Sequence, residues 1–351
     1  MEDTERLVAA LGMVSPEWRE AFRAVPRAAF LTRFFRPVAG GYAAIAAGDP
    51  GFASMVYRDS VLPTEIDDDD SLWDYAREHG PVDGVPTSSS SQPSLMGMML
   101  DALGARPGHR VLEIGTGTGW NAALLCHRLG SAAVTTIDID AALVARAREA
   151  LAALGFTPAV DVADGANGYP PNAPYDRILA TCAVATIPHA WVTQATVGGR
   201  ILASIYGHLG AGTMPLLEVT APGVAEGHVL ATGSYFMPLR AQRLPDLLPR
   251  SSSPGVTRPT QVYLDSAAPW SALAELRLPG VAATNSGYDQ WLLHSDGSWA
   301  HSDGDRVTQG GPRRLWDILE SAHADWSAHG RPPRTAIHIR VDQTGQHTWL
   351  A

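Results

Sequence analysis

A glycine-rich segment near residue 115 constrains the fold of this chain more than any other feature of the sequence. An apolar run over residues 111–114 leads into Gly115-Thr116-Gly117-Thr118-Gly119 and then into a segment typical of a helix. Glycines permit a tight turn and let backbone N–H groups approach a ligand closely. The pattern therefore predicts the first strand–turn–helix unit of a doubly wound, Rossmann-like α/β sheet.

The spacing of the glycines separates several kinds of site. Gly115 and Gly117 match the start of the dinucleotide fingerprint, but Trp120 stands where that fingerprint requires a glycine, which disfavours a nicotinamide oxidoreductase. No Gly-Lys-Ser/Thr follows, so a phosphate-binding P-loop is disfavoured as well. The form Glu113-x-Gly-x-Gly-x-Gly119 resembles the cofactor loop of class I methyltransferases, which bind S-adenosylmethionine. An ordinary turn without a ligand is the plain alternative.

Acidic residues follow the next two predicted strands. Residues 134–138 predict a strand ending in Asp138, about twenty residues beyond the glycines, where nucleotide-binding folds place a carboxylate for ribose hydroxyls. Asp140 competes for that role, although Asp138 follows the apolar residues directly. A third strand, 159–162, precedes Asp164-Gly165. That dipeptide alone indicates only a turn; by the methyltransferase resemblance it contacts the adenine.

Composition excludes several functions. A net charge of −10 disfavours nucleic-acid binding, which needs clustered Lys and Arg. The two cysteines, Cys126 and Cys182, exclude a disulfide scaffold, and no Cys/His spacing predicts zinc. His294 and His301 lie in predicted turns, where solvated histidines are commoner than metal ligands, so no metal is expected. With no signal peptide and no apolar run long enough to span a bilayer, we expect a cytoplasmic protein without a membrane partner.

A serine-rich segment lies just ahead of the glycine loop. Residues 88–91 are all serine, Gln92-Pro93 follows, and apolar residues then recur at helical spacing over 95–103. In the alternative without a ligand, Ser91 or Ser94 simply caps the helix. Four serines exceed what a cap requires, however, and hydroxyls at a helix N-terminus are well suited to bind a carboxylate.

The flanking regions have weaker patterns. Residues 1–35 predict helices, with Arg27 a solvated surface residue, and the four aspartates of 67–70 predict a solvated loop. Strands and helices alternate after residue 110, and a late antiparallel pair is predicted within 227–238. Farther on, Pro312 predicts the start of a helix, and Thr344-Gly345 predicts the turn of a final hairpin.

Four sequence pieces occur in one order and carry a family resemblance. They are Val25-Pro-Arg27-x-x-Phe30, Tyr57-x-Asp59-x-x-Leu62-Pro63, Ser89-Ser90-Ser91-Gln92-Pro93 and Glu113-x-Gly-x-Gly-x-Gly119. Together they resemble the protein-L-isoaspartate O-methyltransferase family over roughly residues 20–240.

The resemblance implies a class I methyltransferase fold, S-adenosylmethionine as cofactor, and a peptide or protein substrate with an Asp or isoAsp carboxylate. Ser91 matches the family's active-site serine, and Ser89, Ser90 and Gln92 are the accompanying candidates for substrate binding. The implied cofactor contacts are Glu113, Gly115, Thr116, Gly117, Gly119, Asp138, Asp164 and Gly165.

Three departures from the family pattern bear on the substrate. Ser89-Ser90 replaces the family's Thr-Ile, an insertion containing the acidic run precedes the serines, and a further domain follows Leu239, where the family's repair enzymes end. These features resemble actinobacterial homologues that tailor ribosomally made peptides. They predict methylation of an aspartate in a precursor peptide, giving an ester that can cyclise to an aspartimide. Isoaspartyl repair and a non-catalytic cofactor-binding or peptide-carrier module are the alternatives.

We therefore predict four regions. Residues 1–86 form a helical, substrate-side region with the acidic insertion, and 87–240 form the S-adenosylmethionine-binding core. Residues 241–258, rich in Pro and Ser, form a linker. Residues 259–351 form an α+β accessory domain, which serves as a stabilising lid or dimer surface or as a peptide-binding module.

Overall fold

The computed structural model describes residues 2–243 and 254–351. The chain divides into two compact units, Met1–Leu179 and Ala180–Ala351, and the division falls inside one long strand. Each unit is described by itself below.

The first unit contains seven helices and seven complete strands among its described residues. The helices are α1 (Glu2–Ala10), α2 (Pro16–Ala24), α3 (Phe52–Val56), α4 (Ser71–His79), α5 (Pro93–Leu103), α6 (Trp120–Leu129) and α7 (Ala141–Ala153). The strands are β1 (Arg33–Val38), β2 (Gly41–Ala46), β3 (Leu62–Ile66), β4 (Pro86–Ser90), β5 (Val111–Ile114), β6 (Val134–Asp138) and β7 (Ala159–Val162), followed by the start of β8 (Tyr175–Val184).

The central sheet of the first unit has the order β8-β5-β6-β7, with β5, β6 and β7 parallel. Every residue of β5 is buried, as expected for a parallel strand covered on both faces. The predicted class I methyltransferase fold is confirmed. Because the carboxyl ends of parallel strands share one edge, the glycine loop, Asp138 and Asp164 lie at the same edge of this sheet.

The N-terminal region contains two strand pairs that the sequence did not predict, β1 with β2 and β3 with β4. Phe34 was predicted on a helix, but it lies in β1. Its neighbour Phe35 packs with Ala44 and Ile66, whereas Phe34 packs with Leu31, Val56 and Leu62. Successive side chains of a strand point to opposite faces, which places these two adjacent aromatic residues in different clusters.

The second unit contains three helices and ten complete strands among its described residues. The helices are α8 (His189–Gln194), α9 (Trp270–Arg277) and α10 (Leu315–Ala328). The strands are β9 (Ala195–Ile205), β10 (Pro215–Ala221), β11 (Val224–Val229), β12 (Val256–Pro259), β13 (Ala282–Ser286), β14 (Asp289–Leu293), β15 (Trp299–Ser302), β16 (Arg306–Gly310), β17 (Ile337–Asp342) and β18 (Gly345–Leu350).

These strands form two sheets. From the end of β8, one sheet runs β9-β10-β11-β17-β18; the other is antiparallel with the order β12-β16-β15-β14-β13. The final hairpin is present, with Thr344 between its strands, and its β17 pairs with β11. The hairpin thus covers the edge of β11, and β18 becomes the outer strand of this sheet.

The late antiparallel pair was placed wrongly. It is β10 with β11, whereas residues 234–238 form no strand, and Pro238 makes only an isolated bridge to Ala183. Proline lacks the N–H group that a strand interior needs.

The predicted linker, 241–258, lies largely outside the described residues, since 244–253 are not described and β12 begins at Val256. The four predicted regions stay a prediction.

His301 lies within β15 rather than in a turn, and its Nε2 lies 2.7 Å from Asp289 Oδ1. Across the described residues, no group of three or more His, Cys, Asp or Glu side chains is arranged to hold a metal ion. None of the described helices has the length and apolar character needed to cross a bilayer.

Candidate active site

The glycine loop is anchored from behind by Glu113. This side chain is fully buried in β5; Asn121 Nδ2 donates to one carboxylate oxygen at 2.6 Å and Thr136 Oγ1 to the other at 2.7 Å. Burial raises the pKa of Glu113 to about 7, although both hydrogen bonds oppose this shift. Both oxygens thus face protein donors, and Glu113 fastens β5 to α6 and β6 beneath the loop.

The loop is also tied to the end of β6. The N–H groups of Gly115 and Thr116 both donate to the carbonyl oxygen of Ile137, at 2.8 and 3.1 Å. Gly119 has a φ of +85°, and a Cβ there would lie 3.0 Å from the Ala147 side chain, so α6 and α7 pack closely only around a glycine. These contacts fix the path of the loop before any ligand binds.

Asp138 faces the loop, and Asp140 does not. Asp138 Oδ2 accepts a hydrogen bond from the N–H of Gly117 at 3.0 Å. The Asp140 carboxylate instead caps α7, accepting from the N–H groups of Ala142 and Leu143 at 2.8 and 3.0 Å. Since a carboxylate can accept about four hydrogen bonds, Asp138 retains capacity for ribose hydroxyls.

Asp164 follows β7 at the same edge and is half-buried. Its carboxylate accepts a hydrogen bond from the N–H of Ala166 at 2.9 Å, and Gly165 is buried behind it. The Asp164-Gly165 turn thus has a local structural role, and its contact with a nucleoside stays a prediction.

The serine segment lies against the glycine loop although the two are far apart in the chain. A Cβ placed on Gly117, whose φ is +52°, would lie 3.6 Å from the carbonyl oxygen of Ser89. The segment is not a loop, because residues 86–90 form β4, paired with β3 so that Ser89 is opposite Pro63 and Ser90 opposite Leu62. The structure thereby brings the two strongest sequence motifs together.

Alternation along β4 divides the serines into two sets. Ser88 and Ser90 are buried, whereas Ser89 is half-buried, as is Ser91 just beyond the strand. Ser90 Oγ accepts a hydrogen bond from Arg27 Nε at 3.1 Å. Within the described parts of the chain, the hydroxyls of Ser89 and Ser91 have no partner. Ser90 is thus part of the packing, and Ser89 and Ser91 are the hydroxyls left for a substrate.

Arg27 is the residue that holds the serine segment, and its prediction as a solvated surface residue is wrong. It is completely buried, and its guanidinium donates to the carbonyl oxygens of Ser90 and Ser91 at 3.1 and 2.9 Å. Burial lowers the pKa of Arg27 to about 9, a shift that the nearby Asp59 carboxylate opposes. The side chain is therefore charged at neutral pH.

Trp120 explains why the dinucleotide fingerprint fails here. Its indole Nε1 donates to the carbonyl oxygen of Val25 at 3.2 Å, and the Arg27 guanidinium lies 5.1 Å from the ring centroid. Phe22 packs against the ring edge to face at 5.3 Å. A glycine at position 120 would remove these contacts. Trp120 therefore connects α6, which follows the glycine loop, to Arg27, which holds the serine segment.

Asp59, rather than a serine, caps α5. Its Oδ1 accepts from the N–H of Ser94 at 2.8 Å and its Oδ2 from Gln92 Nε2 at 2.9 Å. The alternative in which the side chain of Ser91 or Ser94 caps this helix is therefore wrong, and Gln92 braces the turn through its amide nitrogen. Asp59 entered the sequence analysis only as part of a family motif; it lies 35 residues before Ser94, so no local signal in the sequence indicates that it caps this helix.

Comparison with known proteins identifies the family. Residues 5–211 match the family described as protein-L-isoaspartate(D-aspartate) O-methyltransferase. The chain belongs to this family. A protein-L-isoaspartate O-methyltransferase of Methylorubrum extorquens is 41% identical over 142 residues, which cover 40% of this chain and 61% of the relative. Protein-L-isoaspartate O-methyltransferase 1 of Rhodopseudomonas palustris is 36% identical over 203 residues, covering 56% of this chain and 67% of the relative.

The chain spans 61% to 66% of the length of the first curated relatives that it matches. A solved structure of a protein-L-isoaspartate O-methyltransferase aligns over 99% of both chains, with a TM-score of 0.60 and 22% identity. An isoaspartate methyltransferase can therefore share the fold beyond residue 240, so the expectation that such enzymes end near Leu239 is wrong for this relative.

Proposed function

We propose that this protein is an S-adenosylmethionine-dependent methyltransferase that esterifies an isoaspartyl carboxylate in a peptide or protein. The observation that supports the proposal best is the proximity of Gly117 in the glycine loop to Ser89 in the serine segment, since a Cβ on Gly117 would lie 3.6 Å from the Ser89 carbonyl oxygen. A cofactor on the loop and a carboxylate on the Ser89 and Ser91 hydroxyls would then be neighbours.

The residues at the sheet edge fit S-adenosylmethionine. Gly117 has no side chain to block the approach of a ligand, and Asp138 presents a carboxylate suited to ribose hydroxyls. Asp164 follows the neighbouring strand, and we expect it to contact the base. When bound, the cofactor supplies a methyl group on a positively charged sulfur.

The residues present match the needs of methyl transfer to a carboxylate. A carboxylic acid with a pKa near 4 is already ionised at neutral pH. Since no proton has to be removed, the protein must chiefly position the carboxylate and exclude water. Ser91 would donate a hydrogen bond to one carboxylate oxygen and Ser89 to the other. Arg27 acts through the backbone, holding Ser91 in place.

A second candidate substrate is an aspartate in a ribosomally made precursor peptide. Ser89-Ser90 in place of Thr-Ile and the acidic insertion at 67–70 favour it. In that reaction the backbone nitrogen of the following residue attacks the methyl ester and loses its proton, methanol leaves, and an aspartimide forms. The names of the curated relatives favour the isoaspartyl substrate instead.

One peptide pair separates the candidates. A single sequence is made with isoAsp or with Asp at one position, and transfer of a tritiated methyl group from S-adenosylmethionine is followed with mass spectrometry of the product. We expect kcat/KM for the isoAsp peptide to be higher by roughly a hundredfold or more, about 2.7 kcal/mol. Higher activity on the Asp peptide would favour the precursor substrate. Binding of S-adenosylhomocysteine without transfer to either peptide would support a non-catalytic module.

A further inference from the structure

A cavity of about 400 Å³ in the first unit opens beside the glycine loop. Gly117 and Thr118 line one side, and Thr64 of β3 lines another. Thr64 Oγ1 donates to Ser88 Oγ at 3.0 Å, and Gly117 faces the carbonyl oxygen of Ser89. The cavity is therefore adjacent to the serine segment, where the neighbouring residues of a bound peptide would lie.

Two arginines from distant parts of the chain line this cavity. Arg33 begins β1, Arg146 lies on the outer face of α7, and both reach Asp70 Oδ1, with Arg146 Nη1 at 3.3 Å. The Arg33 guanidinium also lies 5.0 Å from the centroid of the Trp73 ring, which fixes its position. The pair can thus hold a carboxylate from a third segment of the chain.

Asp70 comes from the acidic insertion. Asp67 and Asp68 have φ values of 52° and 57°, a left-handed conformation that aspartate tolerates better than most residues. This turn brings Asp70 to the start of α4, beside the arginines, while the Asp69 carboxylate accepts from the N–H of Ser71 at 2.9 Å. The Asp70 side chain is 49% exposed, so water and other solutes can reach the ion pair.

The charge at the cavity depends on Asp70. Glu149 of α7 also lines the cavity, so the two arginines are balanced by two carboxylates while Asp70 is in place. When Asp70 moves away, the two arginines and Glu149 leave one positive charge uncompensated. The planar guanidinium groups of Arg33 and Arg146 are then suited to bind another carboxylate.

We propose that Arg33 and Arg146 form a subsite for an acidic side chain that flanks the methylated residue of the peptide, and that Asp70 occupies the subsite until the peptide binds. This proposal rests on the proposed methyltransferase function, and it adds a preference for peptides with an acidic residue near the methylated one. Because one carboxylate replaces another, the preference is set by competition between the peptide and Asp70.

The test uses the full-length protein and peptides with one methylatable residue. Glu or Gln is placed one, two or three residues away on either side, and kcat and KM are measured for each pair. At one position we expect Glu to lower KM by about three- to tenfold relative to Gln, with kcat unchanged, because exposed ion pairs are weak. Added salt should reduce the difference.

Matched variants assign the effect to the cavity. Arg146→Gln should abolish the preference for Glu, whereas Arg148→Gln, on the same helix but outside the cavity, should preserve it. Asp70→Asn should enlarge the preference, and Asp74→Asn in the same helix α4 should leave it unchanged.

Equal KM values for Glu and Gln at every position, or equal loss in the Arg146 and Arg148 variants, would overturn the subsite while leaving the methyltransferase intact. Failure to methylate any of the peptides, including the uncharged ones, would instead reject the proposed function.

Discussion

Arg27 Nη2 donates a hydrogen bond to the carbonyl oxygen of Ser91 at 2.9 Å from a completely buried position. The same guanidinium makes five further hydrogen bonds, to Ser90 Oγ and to the carbonyl oxygens of Val56, Arg58, Ser60 and Ser90. Two separate stretches of the chain, 56–60 and 90–91, therefore meet on one charged group. Arg27 holds the backbone of Ser91, and the Ser91 hydroxyl has no partner among the described residues.

Replacing Arg27 by lysine should destabilise the fold and the site together. Lysine keeps the charge but has three donors and no planar fork, so several buried carbonyl oxygens lose their partners. We expect the free energy of unfolding to fall by roughly 2–4 kcal/mol, as measured by urea denaturation. The rate of methyl transfer should fall more than the affinity for S-adenosylhomocysteine. Arg27 holds the serine segment, and not the sheet edge where the glycine loop, Asp138 and Asp164 lie.

Arg23→Lys is the control for this substitution. Arg23 lies on α2, is half-exposed, and pairs with Glu5 at 2.9 Å. Its replacement should change stability by less than about 0.5 kcal/mol. If both variants unfold at the same urea concentration as the wild type, the structural role assigned to Arg27 is wrong.

Ser91→Ala and Ser90→Ala should have opposite effects. Ser91→Ala removes a half-buried hydroxyl without a protein partner, so stability should stay within about 0.5 kcal/mol while kcat falls by roughly 10²-fold or more. Ser90→Ala leaves a buried arginine donor with one acceptor fewer, so it should cost about 1 kcal/mol of stability.

Thermal unfolding and initial rates of methyl transfer are measured for both serine variants. The affinity for S-adenosylhomocysteine is measured as well, to check that cofactor binding is unchanged. Wild-type turnover in Ser91→Ala would exclude this serine from the reaction. Ser89→Ala should resemble Ser91→Ala, with lowered turnover and unchanged stability.

The placement of the glycine loop and Asp138 at one edge of the sheet could be predicted from the sequence because its signals are local. Glycines 115, 117 and 119 follow an apolar strand directly, and Asp138 ends the next one, so the parallel fold itself brings them together. Arg27 could not be predicted in this way. Its burial depends on carbonyl oxygens from residues 56–60 and 90–91, and nothing adjacent to Arg27 in the sequence indicates them.

Which serine hydroxyls are buried and which remain available could not be predicted either, for a related reason. Four consecutive serines have no hydrophobic alternation, so the sequence gives no sign that 86–90 is a strand. Once β4 pairs with β3, a period of two sends Ser88 and Ser90 inward and leaves Ser89 half-exposed. The partner strand, and not the serine segment itself, determines which hydroxyls remain available.

Glu113 predicts a dependence of stability on pH. Its folded pKa is about 7, raised above the ordinary value of 4.5, so the folded state binds more protons than the unfolded state between these pH values. Stability from this group is therefore greatest below pH 4.5 and decreases as the pH rises to 7, by roughly 3 kcal/mol. Urea denaturation at a series of pH values measures this slope.

Glu113→Gln should flatten that slope. Asn121 can still donate to the amide oxygen, and the Thr136 hydroxyl can rotate to accept from the amide nitrogen and donate to Thr116, whose Oγ1 lies 2.7 Å away. We expect this variant to be at least as stable as the wild type at pH 7. An unchanged slope between pH 4.5 and 7 would show that Glu113 is not the titrating group.

Asp138 and Asp140, two residues apart, should separate cofactor binding from stability. Asp138→Ala removes the carboxylate that faces Gly117, so the Kd for S-adenosylhomocysteine should rise by roughly 10- to 100-fold, about 1.5–3 kcal/mol. Asp140→Ala removes the cap of α7 and should cost about 1 kcal/mol of stability with little change in affinity. Calorimetric titration and thermal unfolding of both variants give the two quantities. The reverse result, weak binding in Asp140→Ala and full affinity in Asp138→Ala, would move the ribose contact to Asp140 and away from the loop that Gly117 occupies.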